Sequence, residues 1–444
     1  MGEYANVMIK KYCLDWTKNT FNKKRFGHYF SESQLIITDN VECEDDESHT
    51  TYVFQSNVRK IKQRLNCLGY SFKRSKEYIL DNLYNAFRYE PFLNTTKRLI
   101  KILESDQCED QIRKRLDQHF TFEKYMNSLK KIVHFQMESG TIYRGPFGEM
   151  EGKCKLTSEI DKIIYYSQID DVYDGFYGFD IEKTDPFYII RLVLETIDEE
   201  EEVKMDVTSL LYWEDNPTMF EIDDIMEKAI VLVEGSSDRE ILDFVFKKEY
   251  PHLSDVFHFL DFEDDGGKKR EGSCSLIVKN LHAFKMAKMR NNFIGIFDND
   301  AVGKSTWEKI VDGNEIGNIP LNIKILHYPD IKEARNYPTI SPTGKLINGN
   351  INGKACSIEL YLPKFLLMDT NDEFYPIEWN SLINYKINQT KKSAYQGVIS
   401  NKENIKKNCF NYIDEIKDGT KPYSQNEWEN IVSITNVIVE TLNE

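Results

Sequence analysis

The sequence predicts an α/β protein. A parallel-sheet domain over residues 221–370 is preceded by a mixed, mainly helical domain over 1–215 and followed by a small helical region over 371–444. Three observations predict this. Between about 221 and 330, short apolar runs alternate with segments of helical periodicity, the order that gives a parallel sheet covered on both faces. The runs are continuously apolar, as in strands buried on both sides. Two of them end in acids, Glu234 and the Asp298–Asp300 pair, at the strand edge where parallel sheets bind ligands.

Taken in order, residues 33–39 and 51–55 read as short strands. Apolar residues recur at helical spacing over 58–68, 76–86, 99–104 and 112–132. The run at 185–197 fits either a strand or a helix. Two acidic runs, 42–47 and 198–202, read as solvated loops, and the second, with Asn216 and Pro217, marks the approach to a domain boundary. In the next region strands are expected at 230–233, 257–262, 293–297 and 323–328, and helices at 237–249, 275–288 and 305–311. Residues 337–353, rich in Pro, Gly and Asn, read as loop, and 355–367 return to the core. From 379 onward the chain is polar and Lys/Asn-rich and reads as helical, ending in an amphipathic segment at 428–442.

The net charge of −16 argues against a protein that coats nucleic acid by bulk attraction. It leaves room for an enzyme with a local basic channel or bound cations. The eight cysteines form no C-x-x-C pair, so neither a zinc ribbon nor a redox motif is written here, and a reducing cytoplasm is expected. The first residues lack a signal-like apolar stretch, and no apolar run reaches bilayer length, so no membrane association is expected.

The residues that can carry chemistry lie mainly between Ile230 and Gly303. Glu234 ends an apolar run and precedes Gly235, where the chain can turn into a helix. Asp238 falls in the first turn of that helix, as a capping-region acid or as a further ligand. Asp298 and Asp300 are two apart, so in a strand both point to one side. Three hard oxygen donors in one crevice suit Mg²⁺ or Mn²⁺ rather than zinc, as one or two ions.

VEGSSD at 233–238 and FDNDAVG at 297–303 resemble the Toprim domain of primases, topoisomerases, OLD-family nucleases and related defence nucleases. That domain carries a Glu at the end of its first strand and a D-x-D-x-x-G at the end of its third, which Glu234, Asp298, Asp300 and Gly303 match. The resemblance implies a metal-dependent endonuclease. It also implies a further acid beyond the D-x-D for a second metal, for which Glu359 is the best candidate. The amino-terminal half, from GEYANVMIKKYCLDWTKN onward, resembles the domain that precedes HEPN or Toprim nucleases in bacterial proteins. This implies a regulatory or docking module and an effector of antiphage defence.

Gly303–Thr306 (GKST) looks like the end of a phosphate-binding P-loop, but the position that requires the first glycine is Asp298. Lys304 reads instead as a phosphate contact beside the metals or as a lysine at a helix start. Lys268, Lys269 and Arg270 form a basic loop that can contact a nucleic-acid backbone. Arg113 and His119 have the spacing of a HEPN ribonuclease motif, which would act without metal.

The expected reaction is phosphodiester hydrolysis. Asp298 and Asp300 would hold the metal, Glu234 would be ligand or general base, and Lys304 or Lys268 would offset charge in the transition state. The expected partners are nucleic acid, DNA or RNA with tRNA included, and a protein partner or second copy that controls activity. The competing readings are a HEPN-type ribonuclease in the amino-terminal half and a non-catalytic regulator that binds nucleic acid or protein.

Overall fold

The computed structural model describes residues 3–19, 21–40, 49–87, 114, 116–140, 154–166, 175–180, 182–211, 228–261, 274–312, 315–341 and 343–443. The chain divides into two compact units, Met1–Ile222 with Asn443–Glu444, and Asp223–Leu442.

The first unit holds a five-stranded antiparallel sheet in the order β2-β1-β7-β4-β3. Its strands are β1 (Tyr4–Ile9), β2 (Tyr12–Lys18), β3 (Leu35–Asn40), β4 (His49–Asn57) and β7 (Glu202–Asp206). A separate short hairpin pairs β5 (Gly175–Phe176) with β6 (Phe179–Asp180). In β1, Ala5, Val7 and Ile9 are buried while Tyr4 and Asn6 point outward. β7 repeats the pattern with Val203 and Met205, and Met205 sits opposite both Val7 and Phe54.

Helices α1 (Val58–Cys67), α2 (Phe72–Asp81), α3 (Phe122–Ser139), α4 (Glu159–Tyr166) and α5 (Pro186–Leu194) complete this unit. Four of them begin where a side chain accepts a first-turn N–H: Asn57 from Lys60, Ser71 from Arg74, Thr121 from Lys124 and Asp185 from Phe187. Asp185 and the following Pro186 settle the 185–197 run as helix rather than strand. The domain is mixed, as expected, and its sheet adds β1, β2 and β7 to the strands expected at 33–39 and 51–55. The alternation of β1, β2 and β7 is short, and that of β7 carries Glu202, Lys204 and Asp206 on its outer face, which hides it in the sequence. The expected helix at 99–104, the acidic run 42–47, and Asn216 and Pro217 lie outside the described residues.

The second unit is built on a four-stranded parallel sheet ordered β12-β10-β8-β9. The strands are β8 (Ala229–Leu232), β9 (Phe257–Leu260), β10 (Phe293–Phe297) and β12 (Ile323–His327). Helices α6 (Ser236–Glu249), α7 (Cys274–Met286) and α8 (Ala301–Val311) alternate with them, as the apolar pattern predicts. The helix expected from 305 starts four residues earlier, because Asp300 caps it at Gly303. Gly295 lets α7 pack hard on β10: a Cβ there would stand 2.6 Å from Leu281 Cδ1.

The pair β11 (Asn299–Asp300) with β15 (Ala355–Cys356) forms a separate two-stranded ladder, and a second four-stranded sheet is ordered β14-β13-β16-β17. Its strands are β13 (Tyr337–Ile340), β14 (Leu346–Gly349), β16 (Ile377–Ile387) and β17 (Thr390–Ile399). The expectation that 337–353 is loop and that 371–444 is helical is corrected here: β13–β14 and β16–β17 are hairpins. In the β16–β17 hairpin, Trp379, Ile383, Tyr385 and Ile387 take the more buried face of β16. Asn388 and Gln389 both adopt positive φ in its two-residue turn. Only α9 (Lys402–Lys417) and α10 (Glu429–Thr441) bear out the helical reading of this region.

Candidate functional site: a buried carboxylate cluster

Parallel register brings the ends of β8 and β10 together. Leu232 pairs with Gly295, so the residues that follow the two strands stand side by side. Glu234 leaves β8, Gly235 takes the extended N-cap position of α6, and Asp238 follows in the first turn, 6% exposed. Glu234 Oε1 accepts the backbone N–H of Asp298 at 3.0 Å and the Cys274 thiol at 3.2 Å. The cluster is thus tied across strands by a backbone bond rather than by packing alone.

The D-x-D residues divide their work. Asp300 Oδ1 accepts Gly303 N–H at 2.7 Å as the cap of α8, and Oδ2 accepts Gln396 Nε2 at 2.7 Å. Gln396 Oε1 in turn accepts the N–H groups of Ala301 and Val302 at 2.9 and 3.2 Å. Between the two acids, buried Asn299 donates to Asp330 Oδ1 at 2.9 Å. Gly303 is required by contact: a Cβ would stand 2.2 Å from the Asp298 carbonyl oxygen. Asp298 Oδ1 is buried with no hydrogen-bond partner among the described residues.

Glu359 lies on a 3₁₀ turn, Ile358–Tyr361, and is 1% exposed, so it is neither in a strand nor at the surface. Ser357 Oγ donates to its Oε2 at 2.5 Å. Lys402 Nζ stands 3.2 Å from Oε2 and Lys406 Nζ 3.3 Å from Oε1. Of these two lysines of α9, Lys406 reads from the sequence only as part of a weak basic patch with Lys407, and Lys402 is a functional candidate that the sequence does not single out. Their four-residue spacing on a helix was the only signal, and nothing in it pointed to Glu359.

The electrostatics make these groups one site. Burial pushes Asp298 well above the usual carboxylate range, and the charges of Glu234, Asp238, Asp300 and Glu359 add to it. Burial, then Glu359 and Glu234, raise Asp238 to about 8. Burial likewise raises Glu234, against the stabilising N–H of Asp298. Burial would raise Glu359 too, but Lys402, Lys406 and the Ser357 hydroxyl hold it below its ordinary value. The Cys274 thiol is pushed up by burial and then by Glu234.

The donors are all hard oxygens, which suits Mg²⁺ or Mn²⁺. Among the described residues, no three His, Cys, Asp or Glu side chains already converge as a metal-holding group. The reason is visible in the bonds above: Asp300, Glu359 and one oxygen of Glu234 are turned to donors of the protein. The fit rests on the cluster's unbalanced negative charge and on Asp298 Oδ1, a buried acceptor aimed at no donor.

Lys304 follows the D-x-D in the first turn of α8, near Gly353, whose N–H bonds the Asn299 carbonyl between the two acids at 2.9 Å. Its Cδ and Nζ lie against Gly353, 2.9 and 3.0 Å from where a Cβ would sit. Lys268, Lys269, Arg270 and Arg113 lie outside the described residues. His119 is half-buried in a short helical stretch of the first unit. A concavity of about 940 Å³ over that unit's sheet has a mixed lining that includes Tyr4, Met8, Ile36, Gln55, Lys204 and Asp206.

A family model described as HEPN/Toprim N-terminal domain 1 matches residues 1–230. No curated protein and no solved structure matches the chain.

Proposed function

The chain belongs to the family of HEPN/Toprim N-terminal domain 1, and from that premise we propose that its second unit is a Toprim-type nuclease that hydrolyses nucleic-acid phosphodiester bonds with Mg²⁺ or Mn²⁺. The observation that carries this reading is Asp298 Oδ1, buried and unbonded among four other acids at the carboxyl edge of a parallel sheet. Five carboxylates gathered at partly or fully buried positions are costly to ionise together, and a bound cation offsets that cost.

A bound divalent cation supplies Lewis acidity toward the phosphoryl oxygens and lowers the pKa of an attacking water. The chain's own residues do the rest. Asp298, with Asp238 and Glu234, would hold the cation, with Asp300 as a further ligand. Glu234 is the second role to assign: fixed by the Asp298 amide and raised in pKa, it serves as ligand or as the base that takes the proton from water. Lys402, whose ammonium stands 3.2 Å from Glu359, offsets charge at the reacting phosphate, with Lys304 as the second candidate. The first unit is a regulatory or docking module. An antiphage effector acting in the cytoplasm is the setting supported by the resemblance of the Glu234 and D-x-D motifs to defence nucleases.

The test is cleavage of single- and double-stranded DNA and of RNA, tRNA included, in Mg²⁺, Mn²⁺ or EDTA. Metal-dependent cleavage lost in Glu234→Ala and Asp298→Ala supports the reading. Cleavage that persists in EDTA and is lost in His119→Ala replaces it with a ribonuclease in the first unit. Intact substrate under every condition favours a binding regulator.

A further inference from the structure

Tyr328 stands beside Asp298 at the carboxyl edge of the parallel sheet. Phe297 and His327 are paired in register, and the Tyr328 N–H continues the ladder by donating to the Phe297 carbonyl at 2.9 Å. His327 packs its ring on Trp307 of α8, with centroids 4.7 Å apart, so strand alternation turns Tyr328 to the other face. There its ring meets Tyr361, centroids 5.3 Å apart, on the 3₁₀ turn that carries Glu359. The residue is 1% exposed. The backbone that follows is held by three side chains. Tyr361 Oη donates to the Pro329 carbonyl at 2.7 Å, and Asn299 donates to Asp330 Oδ1 at 2.9 Å. Asn352 accepts the Ile331 N–H and donates to the Ile331 carbonyl, both at 3.0 Å.

The hydroxyl on this fixed ring is uncommitted. Tyr328 Oη makes no hydrogen bond to any described residue. The other buried phenols Tyr29, Tyr125 and Tyr361 all donate, as buried tyrosines ordinarily do. Acceptors are not lacking. After burial, the charges of Asp238, Asp298 and Glu234 raise Tyr328 well above its ordinary value, so it stays a protonated donor that faces them. Other donors of the cluster are spent on its carboxylates: Cys274 on Glu234, Gln396 on Asp300, and Ser357, Lys402 and Lys406 on Glu359. Asp298 Oδ1 is buried and unbonded as well. A buried donor and a buried acceptor on neighbouring strand ends, neither satisfied by the other, point to a third group that both await.

We propose that Tyr328 is a catalytic residue whose hydroxyl donates to a phosphoryl oxygen brought to Asp298. The inference rests on the nuclease reading and adds to it a neutral donor for the phosphate. Neutrality suits the place. An ammonium there would compete with a cation for the same carboxylates, as Lys402 and Lys406 do at Glu359. A phenol supplies a hydrogen bond without a charge of its own, so cation and phosphate can be held together.

The experiment compares the full chain with Tyr328→Phe, which deletes Oη and keeps the ring on Tyr361. Calorimetric titration with Mn²⁺ reads the cation site, and titration with inorganic phosphate at saturating Mn²⁺ reads the phosphate site. The expected result is an unchanged Mn²⁺ affinity with a phosphate Kd raised about tenfold or more, the size of a hydrogen bond to a charged group. In Mn²⁺, kcat for bis(p-nitrophenyl) phosphate should fall about 10²-fold. Equal phosphate affinity and equal hydrolysis in the parent and Tyr328→Phe overturn the proposal and leave the nuclease reading standing. Loss of Mn²⁺ binding in Tyr328→Phe also overturns it, because the hydroxyl would then serve the carboxylates and not the phosphate. A parent protein that neither binds Mn²⁺ nor hydrolyses the diester removes the nuclease reading and the proposal with it.

Discussion

Gln396 clamps Asp300: its Nε2 donates to Asp300 Oδ2 at 2.7 Å, and its Oε1 accepts the Ala301 and Val302 N–H groups that open α8. The second strand of a hairpin thereby fixes both the D-x-D and the helix behind it. Gln396→Ala removes one donor and one acceptor at a partly buried site. We expect it to lower stability by about 1–3 kcal/mol, measured by urea unfolding, and to reduce metal-dependent cleavage. Unchanged unfolding with full activity would show the clamp to be incidental.

Gly303 is the glycine of D-x-D-x-x-G because the Asp298 carbonyl oxygen occupies the place of its Cβ, at 2.2 Å. The contact is with backbone, which cannot swing aside. Gly303→Ala is expected to destabilise by about 3 kcal/mol and to displace Asp298. Urea denaturation and cleavage together check this, and a variant of normal stability and activity would contradict it.

The acids give stability a pH dependence of definite sign. Asp238 is raised from its ordinary value of 3.8 to about 8, so the folded state holds its proton more tightly than the unfolded chain. Its contribution is fully present below about pH 4 and is lost as pH rises through about 8. Asp298 and Glu234 shift the same way. In EDTA the melting temperature should therefore fall between pH 5 and 8.5, and Mg²⁺ or Mn²⁺ should flatten the fall. Asp238→Asn should flatten it without metal. A melting temperature that rises over this interval in EDTA would refute the assignment.

Lys402 and Lys406 keep Glu359 ionised in the interior. Replacing both with Met leaves a buried carboxylate unpaired, which is expected to destabilise by about 3–5 kcal/mol at pH 8. The loss should shrink at pH 5, where Glu359 can take a proton. Adding Glu359→Gln should restore most of the stability at pH 8. Thermal scans at the two pH values read this, and failure of Glu359→Gln to rescue would mean that the lysines act elsewhere.

The parallel sheet and its acidic strand ends were legible because continuous apolar runs and the acids that follow them are local features. Glu359 was legible as an acid of interest, yet its pairing was not, because Lys402 and Lys406 come from a helix far along the chain. The β16–β17 hairpin was hidden because its turn is Asn388–Gln389 rather than Asn-Gly, and its Lys-rich strands read as a polar helix. With the hairpin went Gln396. The sheet of the first unit was missed in part because β1 and β7 show only two or three inward residues each.

The central claim is that Asp298 anchors a divalent cation among these acids. Calorimetric titration of the full chain with Mn²⁺ at pH 7.5 tests it most directly. The account predicts saturable binding of one or two ions, abolished in Asp298→Ala and retained in Lys304→Ala. Equal Mn²⁺ binding by the parent protein and Asp298→Ala, or no binding by the parent, would contradict it.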